Sequence, residues 1–253
     1  MLKLIKTTTL LTLIAFASIF VNTALANNLN QEINGYIDVF KGNNFAKQRK
    51  VIDKLAWAGI SDSRLYDLMA AKLDSTMSSD DKIGVDQASW FAKGLARSGN
   101  KKYIADLERV SKQAAHKKTR KYAANSIATL NKYSEWNPII AKGLSNTASG
   151  KLEQARVKNM LNSSNYGLMT IGAKRVYYGH NSEKPLAALA SKRLMEEYQS
   201  VAGNKDGIDA VAWLIKALAE TGDSSHKSTL VKIAETAKDK KVKKYAKKYA
   251  AYL

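Results

Sequence analysis

Chemistry in a folded chain needs reactive side chains that converge, and this sequence offers few. Its three histidines, His116, His180 and His226, lie in separate segments near turns or helix starts. None has a second histidine or a carboxylate at the spacing of an HExxH-type metal site, so each reads as a solvated surface residue. Ser79 with Lys82 and Ser98 with Lys101 both fit SxxK, where lysine activates serine inside a pocket built by distant partners. Both tetrads fall in polar turns and read as coincidence. Cysteine is absent, which excludes disulfides and a lipid-anchored thiol. No glycine-rich phosphate loop or dinucleotide fingerprint follows a strand. These observations assign no catalytic residue, no cofactor and no metal ligand; the expected role is binding or scaffolding.

The residues best placed to meet a partner come in pairs. DQASWFAKGLARSG begins at Asp86 and DAVAWLIKALAETG at Asp209, 123 residues on. On a helix turning about 100° per residue, Val85, Ala88, Phe91, Ala92, Leu95 and Ala96 cover one side. Trp90 falls on the other, beside Lys93 and near Asp86, and Trp213, Lys216 and Asp209 repeat that edge. Two readings stand. Either the tryptophan is buried against a neighbouring unit while the aspartate accepts from free amide groups at the helix start, or an indole face and an ammonium meet a glycan ring carrying an acidic group. A second candidate patch is a lysine row, also repeated: Lys117, Lys118 and Lys121, then Lys240, Lys241 and Lys244.

These residues need elements to hold them, and the repeat supplies those. Residues 86–130 and 209–253 align without a gap, with 15 of 45 positions identical. Upstream, the stretch from Phe45 lies over that from Tyr166 at an offset of 121. The sequence therefore predicts a tandem duplication of a module of about 120 residues, each made of helical hairpins, as in a solenoid. In VKKYAKKYAAYL, Val242, Tyr245, Ala246, Tyr249, Ala250 and Leu253 form one apolar stripe opposite lysines. Gly99 and Gly222 end the preceding helices, Pro185 suits a first helical turn, and no segment alternates as a strand does. The expected organisation is a leader over 1–26, a first module over 27–135, a connection over 136–151 with a short helix from Ile139 to Leu144, and a second module over 152–253.

At this level the pattern resembles a known family. Asp239-Lys240-Lys241-Val242-Lys243-Lys244-Tyr245-Ala246 is similar to the second helix of HEAT repeats, and AWLIKALAETGD to the first. His116, Thr119, Arg120 and Ala123 stand at the corresponding places of the first module, where the acid is lost. The resemblance implies an all-α fold, a right-handed α-α solenoid of stacked antiparallel hairpins with a binding surface. It does not imply a reaction. Some HEAT-like proteins are lyases or modify nucleic acid, but such chemistry needs an acidic residue in a cleft, and none is matched here.

Compartment and charge narrow the partner. A basic start, the 12-residue apolar run LLTLIAFASIFV and Ala24-Leu25-Ala26 have the layout of a secretory signal peptide. A span needs about 20 apolar residues, so no transmembrane anchor is expected once it is cleaved. Lys and Arg number 41 against 22 Asp and Glu, a net charge of +19. The excess is spread over both modules and draws the protein to anionic surfaces. The expected partner, in the periplasm or outside the cell, is a protein or an anionic envelope polymer or lipid head group. Nucleic acid is not expected there.

Overall fold

The computed structural model describes residues 28–148 and 150–253, and every regular element among them is helical. The expected signal peptide lies outside the described residues. Helix α1 covers 28–41. It is followed by α2 (Phe45–Ala58), α3 (Ser63–Thr76), α4 (Lys82–Ala96), α5 (Ile104–Gln113) and α6 (Lys117–Ala141). Then come α7 (Leu152–Leu161), α8 (Tyr166–Arg175), α9 (Lys184–Glu197), α10 (Lys205–Glu220), α11 (Lys227–Thr236) and α12 (Lys240–Ala250). Among the described residues, no helix is long and apolar enough to cross a membrane.

The chain divides into two compact units. One holds the described residues up to Asn137 together with Gly143–Leu152; the other holds Pro138–Lys142 and Glu153–Leu253. In the first, α4 packs on α2 and on α3. Its apolar stripe, from Val85 to Ala96, is buried as the wheel predicts. Phe91 meets Phe40 and Phe45 edge-on at 6.3 and 5.8 Å between ring centres, the geometry aromatic pairs favour. In the second unit α10 packs on α8, α9 and α12, and α11 on α12. There Leu168, Leu194, Leu214, Leu218, Leu230 and Val242 are fully buried.

The elements keep the sequence offset. From α4 onward, the short 3-10 turn Lys101–Tyr103 and α5 have counterparts 123 residues later in Ser224–His226 and α11 with the same bounds, and α6 and α12 start 123 apart. Likewise α3 and α9 share bounds at an offset of 121. The caps correspond too. Asn44 and Asn165 accept from the third amide of α2 and of α8. Asp81 and Asn204 do the same for Gly84 and Gly207. Each satisfies an amide that a helix start leaves without an internal partner.

Two expectations are corrected. Asp86 and Asp209 do not cap helices, because α4 and α10 begin a turn earlier, behind Asp81 and Asn204. The separate short helix from Ile139 to Leu144 is absent. Instead α6 runs unbroken through Pro138 to Ala141, and Leu144–Asn146 is a 3-10 turn. A proline inside a helix costs about 3 kcal/mol, and anchoring offsets it here. Trp136 and Asn137 are buried, the Tyr133 hydroxyl donates to the Ala56 carbonyl at 3.0 Å, and the Asn137 amide donates to Ser61 Oγ and the Arg97 carbonyl at 3.0 and 2.9 Å. Apart from these, α8 passes into a π turn, Val176–His180.

Gly99 and Gly222 end matching helices with φ of +62° and +67°, where side-chain-bearing residues are strained. Their surroundings differ. A Cβ on Gly99 would stand 2.5 Å from the Tyr133 carbonyl oxygen, while one on Gly222 meets nothing within 4 Å. Gly222→Ala should therefore cost only the left-handed penalty of about 1–2 kcal/mol. Gly99→Ala should cost about 3 kcal/mol or more, because backbone must also move. Urea unfolding of the two variants checks this; equal losses would mean that α6 does not lie against Gly99.

A candidate cation–aromatic surface

The repeated Trp-Lys edge and the lysine rows, read from sequence as separate candidates, meet in each unit through a tyrosine. In the first unit Trp90 is half-buried and packs against the main core. The Arg49 guanidinium of α2 lies 4.5 Å from its ring centre and the Lys93 ammonium 4.7 Å. Lys93 also sits 4.2 Å from the ring of Tyr122 on α6, so it bridges two aromatic faces and ties α4 to α6. Asp86, one turn before Trp90, does not join this group. It reaches Lys118 Nζ at 3.3 Å, which links the same helix edge to the lysine row.

That row is open to solvent. Lys117, Lys118 and Lys121 are all exposed. With Tyr122 and Asn125 they line an open cleft of about 710 Å³. A second cleft of about 590 Å³ is lined by Phe45, Lys82, Ile83, Asp86 and Lys118.

The second unit repeats the tie with different neighbours. Lys216 lies 4.0 Å from the Trp213 ring centre and 5.4 Å from that of Tyr245 on α12. Lys174 of α8 supplies the other cation over the indole, at 4.8 Å. On α12, Lys240, Lys241 and Lys244 are exposed, while Val242 and Ala246 beneath them are buried. Asp239 caps this helix by accepting from Lys241 and Val242. The lysines thus stand on a helix fixed at its start and along its apolar side.

Sequence reasoning missed the tyrosines as functional groups. Tyr122 and Tyr245 were legible in the aligned repeat, but their spacing assigned them only to an apolar stripe. Arg49 and Lys174 left no signal, since they occupy non-equivalent positions on α2 and α8.

His180 is a further correction. It is not a solvated surface residue: its side chain is only 12% exposed and lies 2.6 Å from Glu183 Oε1 through Nδ1. Glu153, 3.9 Å from its other ring nitrogen, is also bonded by Arg175. The π turn causes this, because it carries His180 inward where a regular helical end would release it. His116 accepts from the Lys118 amide and serves α6 as a cap. Among the described residues, no group of three or more histidine, aspartate or glutamate side chains is placed to hold a metal ion.

Of the SxxK serines, Ser98 is buried, and its hydroxyl accepts from the Asn100 amide within its own turn. Among the described residues, three carboxylates have lowered pKa: a hydrogen bond from Arg64 holds Asp62 below the usual carboxylate range, one from Lys102 does so for Asp67, and one from Ser225 for Asp223.

Searches against protein-family models, curated proteins and solved structures give no match to this chain.

The ties have a structural consequence that stability measurements can read. A cation over an aromatic face contributes about 0.5–2 kcal/mol. Lys93→Met, which keeps the apolar stem, should cost about 1 kcal/mol. Trp90→Ala should cost about 2–3 kcal/mol by removing core contacts as well. A Lys93→Met protein with the parent's melting temperature would show that the bridge between Trp90 and Tyr122 carries no stability.

Proposed function

We propose that this protein is an exported, non-enzymatic binding protein, a tandem duplication of HEAT-like helical hairpins that holds an anionic partner on its lysine rows. The coincident helix bounds and caps at offsets of 123 and 121 support the duplication. Helix pairs such as α11 and α12 support the hairpin reading. The signal-like leader supports a periplasmic or extracellular place, where envelope polymers and lipid head groups are the abundant anions.

One observation carries the functional reading. Lys117, Lys118 and Lys121 on α6, and Lys240, Lys241 and Lys244 on α12, are exposed at the same register of two matching helices. Both helices are fixed by buried apolar positions, Ala123 and Leu130 in one and Val242 and Ala246 in the other. A row of ammonium groups on a fixed backbone gives up little conformational freedom on binding. Its attraction for a polyanion then falls as salt screens it, over a Debye length of about 10 Å at 0.1 M. The Trp-Lys edges take a different part: their ammonium groups are held by the chain's own rings, and they orient the helices that bear the rows.

Retention on an anionic matrix should weaken steeply between about 50 and 500 mM salt. Changing Lys117, Lys118 and Lys121 to Gln, or Lys240, Lys241 and Lys244 to Gln, should weaken it roughly 10- to 100-fold, at up to about 1 kcal/mol per lysine. Retention indifferent to salt, or to both triple changes, would remove the rows from the account. Capture of an acidic protein in preference to anionic polymers would move the partner to the other class.

A further inference from the structure

The two units share their Trp-Lys-Tyr tie and differ in the rings that surround it. The lysine between tryptophan and tyrosine occurs in both. The second unit adds more rings around it. Tyr177 and Tyr178 of the π turn lie 5.8 and 6.0 Å from Trp213. Beyond Lys216, Tyr245 stacks with Tyr249 at 6.4 Å, and Tyr249 meets Tyr252 at 5.5 Å. The result is a row of two groups of three rings, from the π turn and α10 and from α12 and the turn after it, joined by the Lys216 ammonium between Trp213 and Tyr245. The positions matching Tyr177, Tyr249 and Tyr252 in the first unit are Ala56, Ser126 and Thr129, while Tyr178 is matched by another aromatic, Trp57. That unit folds around its Trp-Lys-Tyr tie without them.

The row is also the wrong thing to leave in water without a use. Five large apolar side chains are strongly exposed among the described residues, and two of them, Tyr178 at 70% and Tyr252 at 66%, end this row. Ammonium groups stand at Trp213 (Lys174 and Lys216) and 5.4 Å from the Tyr249 ring centre (Lys248), while the Glu220 carboxylate lies by Tyr177 and raises the pKa of its hydroxyl.

We infer that this row is a binding platform for an acidic polysaccharide, a chain of sugar rings bearing carboxylates. A pyranose lays its apolar C–H face on an aromatic ring and turns its polar groups to the side. Tyrosine suits this, with an apolar body and a hydroxyl at the rim. The ammonium groups beside the rings meet the carboxylates. Nucleobases also stack on aromatic faces, so an oligonucleotide is the competing ligand that the titration must include. The platform adjoins the α12 lysines, so this inference rests on the reading of that helix as a binding face and names its ligand class.

The test is titration of the full chain with polygalacturonate, with uncharged dextran and with an oligodeoxythymidylate. Polygalacturonate should bind at least about tenfold more tightly than either. Tyr178→Ala with Tyr252→Ala should weaken it roughly tenfold without altering its salt dependence, while Tyr178→Phe with Tyr252→Phe, which keeps the rings, should bind nearly as the parent does. Tighter binding of the oligonucleotide, or an alanine double variant that binds polygalacturonate like the parent, would overturn the inference. In that event a Lys240, Lys241 and Lys244 to Gln variant that still loses binding leaves the lysine reading standing. If it too binds as the parent does, both readings fall.

Discussion

Each unit turns on a central helix that must satisfy neighbours on more than one side. α4 and α10 bury their small and branched residues, Ala88, Ala92 and Leu95 in one and Ala210, Leu214 and Leu218 in the other, against flanking helices. Their remaining edge cannot be fully apolar, because it meets the next helix where solvent begins. A half-buried tryptophan capped by ammonium groups solves that problem. The indole gives area, and the lysine stem covers it while the charge stays at the boundary. The tie helps to orient α6 and α12, which are also held by their own buried residues and, for α12, by the Asp239 cap.

The same logic separates scaffold from surface. Buried positions recur at fixed offsets in both units, as do caps and turn glycines, since the same packing must be satisfied twice. Some exposed positions match, as the lysine rows do, and others differ: the first unit has an open cleft beside Lys117, Lys118 and Lys121, and the second a run of tyrosines.

His180 shows how local backbone changes a residue's chemistry. One extra residue in the last turn of α8 rotates the following side chain, and a histidine that periodicity leaves at a surface comes to rest against Glu183 and Glu153. Arg175 joins the same cluster through Glu153. Such π turns often sit at functional positions. In this unit the turn also delivers Tyr177 and Tyr178 to the side of Trp213, so a single irregularity supplies both the polar cluster and the start of the aromatic row.

Sequence by itself determined the elements that depend on local spacing. Helical periodicity, the turn glycines Gly99 and Gly222, the place of Pro185 and the buried stripe of α4 were all legible, because each depends on residues within a few turns of one another. The exposed lysines were legible for the same reason, as the polar side of an amphipathic helix. Tertiary structure decided the rest. It carried α6 through Pro138, because contacts with segments some 40 and 77 residues away outweigh a missing backbone hydrogen bond. It moved the helix starts away from Asp86 and Asp209, turned His180 inward, and chose Tyr122 and Tyr245 as the partners of Lys93 and Lys216. Those outcomes are set by which helices lie side by side, and no periodicity within one helix encodes its neighbour's facing residues.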